Sequence, residues 1–425
     1  MATQLLEQTS PGLLDTMSRG TSEAFFDVIE WAAEQPWSSG KVGLLGISYY
    51  AGSQWRVAAR QPKGLSAIIP WEGMSDYYRD RCRHGGILSN AFIKFWWDRQ
   101  VITNQYGRPG RNARNWGPDT IEGDLSQAEL EENRQDQTVD NTVNKFRDDL
   151  YYASKEYDSD RVGWSIQGKI PAVDLVLRKG DVGVNDAAAE QKYTRREEAE
   201  WPIARTQYTR FFLTPDQKLT TLELASDTRR KLSYKALGTV ENPQLLQFST
   251  EPFAAEAEIT GHIVAHLNVS MSPDPSGPTP TDIDLFVTLR HILPEGKEVH
   301  YTGTAGDPVP LAKGWLRVSL RRTNPDHPKH RPWLPHRDYT STDILPVIPG
   351  EVYAVDIEVW PTNVVVEIGS KIVFEVSSGD TQGCGIFRHD PSDRSEQKLR
   401  GSNHIHFGPK SLNYVTLPII PPKSK

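Results

Sequence analysis

The segment Gly43-Leu-Leu-Gly46-Ile47-Ser48-Tyr49-Tyr50-Ala51-Gly52 limits what this chain can fold into more than any other stretch. Lys41 to Gly46 reads as a short buried strand, Ala51 to Gln61 as a helix, and Leu65 to Ile69 as a second buried strand ending at Pro70 and Trp71. Upstream, Phe25, Phe26, Ile29, Ala32 and Ala33 share one face of a helix over Ser22–Gln35, with Thr21 or Ser22 as its cap and Pro36 as its stop. Strand, sharp turn, helix and strand in that order form the unit of a parallel α/β sheet. A Gly-x-Ser at such a turn is a nucleophile elbow, which presents a serine hydroxyl at the sheet's C-terminal edge, where a base can take its proton. Small residues flank the turn because strand and helix approach closely. Gly46 meets that need two residues before Ser48, but the second position after it is Tyr50, and the small residues come later, at Ala51 and Gly52. Ser48 is thus the candidate nucleophile, and the backbone N–H of Tyr49 one oxyanion-hole donor. The competing reading is a serine that only caps the following helix.

Ser75 to about Tyr157 lacks strands that would continue a sheet. It is rich in Arg, Trp, Asn and Glu, with helical stretches at Gln127–Asn133 and Val139–Ala153, and reads either as a helical cap or as an irregular insertion. From about Gly163 short strand patterns recur without helices between them: Val173–Arg178, Thr206–Leu213, Ile259–Ser270, Ile283–Arg290, Trp315–Arg321, Tyr353–Trp360, Lys371–Ser377 and Tyr414–Ile419. Pro and Gly clusters such as Pro273–Pro280 and Pro346–Gly350 punctuate them, as in a β-sandwich or jelly roll. A chain of 425 residues is long for one core. The division expected is a partial α/β core over 1–75, a cap-like region over 76–160 and a jelly-roll β-domain over 163–425.

A net charge of −7 with both signs interspersed argues against nucleic acid as a partner. Arg108, Arg111 and Arg114 read as a solvated loop. Two cysteines, Cys82 and Cys384, fit no disulfide framework, so a reducing, cytoplasmic setting is expected. The first residues lack the pattern of a signal peptide, and no window reaches the roughly 18 apolar residues of a membrane span. His327-Pro-Lys-His330 has metal-like spacing and His404-Ile-His406 alternates along a strand, but neither brings a third ligand, so no metal is expected there. Asp282 and Asp284 share a strand face, one pair against the six or more oxygens that Ca²⁺ needs.

Gly46-Ile47-Ser48-Tyr49 followed by Gln54-Trp55 resembles the CocE/NonD group, the cocaine-esterase and X-prolyl-dipeptidyl-peptidase-like hydrolases. So do Ile29–Gly43, Pro70-Trp71-Glu72-Gly73 and Asp76-Tyr77-Tyr78-Arg79, and, later, Glu200-Trp-Pro202, Asp282-Ile-Asp284-Leu-Phe, Gly314-Trp-Leu-Arg, Val376-Ser-Ser378 and Asn403-His-Ile-His406. The resemblance implies an α/β-hydrolase domain with a helical cap and a C-terminal jelly-roll, galactose-binding-like β-sandwich. It implies cleavage of small-molecule esters, amides or X-Pro peptides through a Ser-Asp-His triad that needs no cofactor. It leaves a homodimer open, since the family often forms dimers.

The resemblance also points to gaps. Only 40 residues precede the elbow strand, where the fold ordinarily uses roughly 80–100, and the family's upstream oxyanion tyrosine has no counterpart. No histidine lies between His84 and His262, and the stretch that carries the triad Asp and His is expected to be missing between about Asp158 and Arg161. The triad acid and base are therefore unassigned. His84 is the nearest histidine but lies in a cap-like segment, and Asp76 and Asp80 read as solvated or salt-bridged. An elbow without its base predicts weak or no activity, and a sheet short of strands predicts exposed apolar edges and faces and marginal folding of residues 1–160. The alternatives are a non-catalytic relative that binds partners through the β-domain, and a carbohydrate-binding β-domain.

Overall fold

The computed structural model describes residues 16–97, 101, 128, 137–155, 172–223, 229–389 and 391–422. The first helix, α1, spans Arg19–Glu34. It starts earlier than Thr21 or Ser22 because Ser18 caps it, its hydroxyl accepting the Thr21 N–H at 3.2 Å. Phe25 and Ile29 turn inward and pack with Val57 of α2 (Tyr49–Ala58), against Val42, Leu44 and Leu65 of the strands. Those strands are β1 (Val42–Ile47) and β2 (Leu65–Trp71), paired in parallel with Leu44 opposite Ile68 and Ile47 opposite Trp71.

The helices cover one face of this pair. On the other face Leu45 is 66% exposed, Ile47 and Ile69 are each 48% exposed, and Trp71 is 60% exposed. Parallel strands are ordinarily buried on both faces, so bare apolar residues on one face are what an incomplete sheet leaves behind. The helix expected over Val139–Ala153 is two pieces, Gln137–Val143 and Leu150–Ala153. The Asp149 carboxylate accepts the N–H groups of Lys145 at 2.6 Å and Phe146 at 2.9 Å, which turns the chain between them. The arginines at 108, 111 and 114, the proposed gap between Asp158 and Arg161, and all of Gln127–Asn133 except Ala128 lie outside the described residues.

The chain divides into two compact units, Met1–Arg83 with Leu88–Ser165, and His84–Ile87 with Ile166–Lys425. The second is a β-rich sandwich. Its strands run in the spatial order Tyr353–Val366, Ala312–Arg317, Asp284–Ile292, Lys371–Ser377, Leu245–Thr250, Lys218–Thr220, Gln207–Leu213, Tyr414–Ile420, Ala257–Ser272, Ser402–Phe407 and Arg230–Lys235. Tyr353–Val366 also pairs with Ala257–Ser272, so the sheet returns on itself. The long strand Ala257–Ser272 bends at a bulge between Gly261 and Ile263, which lets one strand serve both layers. Alternate residues such as Leu285, Val287 and Leu289 point into a core shared with Phe248, Ile357 and Phe374.

The hairpin His84–Ile87 joins this unit. Gly85 has φ +57° and its carbonyl accepts the Arg317 N–H at 2.9 Å; a Cβ on it would sit 2.1 Å from the Trp315 carbonyl oxygen. Only glycine fits that approach. Ile87 packs there with Phe286 and Trp315. Among the described residues no helix is long and apolar enough to cross a membrane.

Candidate active site

Ser48 occupies the turn between β1 and α2 with φ +57° and ψ −115°, a combination that costs a non-glycine residue about 1–3 kcal/mol and is held only where the surroundings enforce it. Here the Ser48 N–H donates to the Trp71 carbonyl at 2.9 Å and the Ser48 carbonyl accepts the Gly52 N–H at 2.9 Å. The turn is thus fixed to the neighbouring strand on one side and to the helix on the other. Gly46 is required sterically, because a Cβ there would lie 2.5 Å from Tyr50 Cβ. The small residues displaced to Ala51 and Gly52 have their own neighbours. A Cβ on Gly73 would meet Ala51 Cβ at 3.1 Å, and one on Gly52 would meet Met17 Cε at 3.0 Å. Tyr50 is accommodated because Gly46, which it faces, has no side chain. Tyr49, the first residue of α2, places its N–H at the positive end of the helix dipole.

Around Ser48 lie Thr16, Met17, Tyr49, Met74, Tyr77, Arg81, Phe92 and Trp96, enclosing about 10 Å³ of free volume, roughly enough for one water. Met74 and Tyr77 were not singled out as site residues from the sequence. In a parallel pair the segments leaving the C-terminal ends of both strands gather at one edge, so the residues after Trp71 were bound to arrive beside Ser48. Among the described residues the lining contains no carboxylate and no imidazole. Burial pushes the Tyr77 phenol well above its ordinary pKa, and its hydroxyl lies 3.3 Å from that of Tyr151. Arg81 is buried with its guanidinium over the Phe92 ring at 4.5 Å, and desolvation lowers its pKa.

The other candidates go elsewhere. Asp76 pairs with Arg147 at 2.8 Å, and Asp80 accepts the N–H groups of Ser75 and Asp76 at 3.0 and 2.9 Å, so both are tied into local structure. His84 is buried in the second unit, stacked on Trp315 at 4.7 Å, its Nδ1 3.2 Å from His389 Nε2. Trp360 meets the His84 ring edge-on at 5.3 Å. Asp284 is held at about pKa 2: burial pushes it up, but the charges of Arg317, Arg394 and Lys398 and the Arg317 hydrogen bonds outweigh that. Asp282 accepts the Ile283 and Ser319 amides at 2.9 and 3.0 Å. Protein donors occupy these oxygens, so the Ca²⁺ reading fails on chemistry as well as number. His404 bridges Ser233 and Ser272 at 2.7 and 2.9 Å, and His406 meets Ser270 at 2.7 Å. The His327–His330 spacing does not form the cluster that the structure shows, since it is His336 and Asp338 that come beside His327.

Comparison with known proteins follows the same division. Residues 7–168 match the X-Pro dipeptidyl-peptidase (S15 family) model, and residues 169–416 match the X-Pro dipeptidyl-peptidase C-terminal non-catalytic domain. The cocaine esterase of Rhodococcus sp. is 22% identical over 515 residues, covering 93% of this chain and 83% of that protein. That alignment is longer than this 425-residue chain, so the relative carries segments that the chain lacks. A Mycobacterium bovis protein bearing the name of a serine esterase is 26% identical over 146 residues, 34% of this chain. The match spans only 20% of that relative's length. A CocE/NonD family hydrolase from Staphylococcus aureus superposes with a TM-score of 0.76 at 21% identity, over 97% of this chain and 78% of the other. An alpha-amino acid ester hydrolase does so with a TM-score of 0.61 at 13% identity, over 93% and 79%. At these identities the two structures speak for the fold.

Proposed function

The chain belongs to the X-Pro dipeptidyl-peptidase family of CocE/NonD hydrolases, and we propose that Ser48 is the nucleophile of a serine hydrolase of that type, impaired in this form. The observation that carries the reading is the Ser48 backbone, φ +57° and ψ −115°, at a strand-to-helix turn where a Cβ on Gly46 would lie 2.5 Å from Tyr50 Cβ. In the proposed reaction the Ser48 hydroxyl gives its proton to solvent water, which supplies one to the departing alcohol or amine, and adds to the carbonyl carbon of a small-molecule ester, an amide or a peptide. The resulting oxyanion takes a hydrogen bond from the Tyr49 N–H. Collapse expels the alcohol or amine and leaves an acyl group on Ser48, which water then removes. Among the described residues no histidine or carboxylate lines the pocket to accept the first proton, and loss of a triad member ordinarily removes several orders of magnitude in rate. Two buried free thiols, Cys82 and Cys384, suit a cytoplasmic setting.

The second reading, a non-catalytic relative that binds partners through the β-sandwich, draws its support from the same bare pocket. A fluorophosphonate probe separates the two. With the full chain we expect slow labelling of Ser48, none in Ser48→Ala, and turnover of p-nitrophenyl acetate and Ala-Pro-p-nitroanilide far below that of a complete family hydrolase. Equal turnover by the chain and Ser48→Ala would remove Ser48 from the mechanism. Absence of labelling in a chain with an intact folded signature would favour the binding protein.

A further inference from the structure

We infer that His327, His336 and Asp338 form a site for one borderline divalent transition-metal ion, of the Zn²⁺, Co²⁺ and Ni²⁺ class, on the loop that follows Arg321. The loop folds back on itself. The Asn324 N–H donates to the His336 carbonyl at 2.9 Å, and Arg331 and Leu334 exchange N–H···O bonds of 3.0 and 2.9 Å. That turn stacks His327 and His336, nine positions apart in the chain, with ring centroids 3.6 Å apart and planes 3° from parallel. Ligand atoms of these two rings and of the Asp338 carboxylate all lie within 4.8 Å of one another.

The surroundings hold these groups in place. Asp338 Oδ2 accepts the Asn324 side-chain amide at 2.8 Å, which leaves Oδ1 facing His336 Nε2 at 3.2 Å. The His336 amide donates to His330 Nδ1 at 3.3 Å, so His330 helps fix the backbone beneath the pair. His336 is 5% exposed, while His327 and Asp338 are half-buried, so an ion would reach the group from solvent. The Asn324 amide thus anchors the Asp338 carboxylate from behind, as hydrogen-bond partners of metal ligands do.

The donor set selects the class of ion. Two ring nitrogens and one carboxylate oxygen match the three-ligand sites of Zn²⁺ and its neighbours, with water completing the shell. Hard ions such as Ca²⁺ and Mg²⁺ need more oxygens than are present, and without a thiolate the set does not favour soft ions. Binding demands rearrangement: the stacked rings, whose lone pairs lie in parallel planes, turn to face one ion, and His336 Nε2 gives up its hydrogen bond to Asp338 Oδ1. His327 Nδ1 accepts the Lys329 N–H at 3.2 Å, and ligation through Nε2 places a proton on Nδ1 and gives that exposed bond up. The loop also carries Trp333, which stacks on Tyr208 at 5.5 Å and on His262 at 5.2 Å, so a bound ion would stiffen a segment already laid against the sheet.

The test uses the full chain, stripped with a chelator and titrated with Zn²⁺ by calorimetry and with Co²⁺ by visible d–d absorption. One ion per chain and a raised melting temperature are expected, with His327→Gln and Asp338→Asn each weakening affinity roughly tenfold or more. Asp338→Asn keeps the side chain's shape and its acceptor for Asn324, so its unliganded melting temperature should match the parent's and the loss of binding can be read without misfolding. His406→Gln should leave the titration unchanged. No binding by the parent chain, equal binding by both loop variants, or loss confined to His406→Gln would each overturn the assignment.

Discussion

His404 and His291 show how single buried residues tie the stability of this protein to pH. Burial, helped by Lys231 and His406, lowers His404 to about 4 from an ordinary value near 6.5, and burial alone lowers His291 to about 4. The unfolded chain therefore binds these protons first as pH falls. Their contribution is complete above about pH 6.5 and disappears by about pH 4, at most about 3 kcal/mol each. We predict that the urea midpoint of the full chain drops across that window and that His404→Gln flattens the slope. A midpoint independent of pH between 6.5 and 4 would show that neither ring is desolvated as described. Asp284 belongs to a lower window. Its pKa is depressed to about 2, so its share is present above about pH 4 and is lost only as pH falls through 2.

At the scale of elements, the β1–β2 pair is half of a design. Its helix-covered face holds Phe25, Ile29 and Val57 against Val42, Leu44 and Leu65, and its other face leaves Leu45, Ile47, Ile69 and Trp71 bare. An apolar patch of that kind binds dyes and other chains. Leu45→Glu should therefore lower 8-anilinonaphthalene-1-sulfonate fluorescence and raise solubility, while changing folding stability by no more than about 0.5 kcal/mol, since the residue is 66% exposed. A large loss of stability would mean that this face is covered in solution.

At the scale of the molecule, the two units differ in what they bury. The sandwich places Phe248, Phe374, Ile259, Ile263 and many others in one continuous core, whereas among the described residues the helix–strand core of the first unit is the small group around Ile29. Apolar burial is the main stabilising term, so the two should not resist opening equally. Limited proteolysis followed by mass spectrometry should degrade the first unit early and leave a long-lived fragment beginning near residue 166. Cleavage of both at the same rate would show a single cooperative unit instead.

Local order was readable along the chain. The period-3.6 pattern of Phe25 and Ile29, the apolar runs of β1 and β2, and Gly46-Ile-Ser48 between them were enough for the strand–turn–helix unit, because each depends on neighbours in sequence. Most sandwich strands were legible for the same reason, with ends displaced by a few residues. Strands such as Arg230–Lys235 and Leu245–Thr250 were not, because the partners that bury them come from distant positions. The sequence also shows no histidine between His84 and His262, which leaves the triad base unassigned. Tertiary structure alone decided the rest. It put the Gly85 turn against the Trp315 backbone, drew Met74, Tyr77 and Arg81 to Ser48, and stacked His327 on His336 beside Asp338. Spacing in sequence carries no record of such meetings, since parallel pairing and a doubled-back loop join residues that local propensity treats as unrelated.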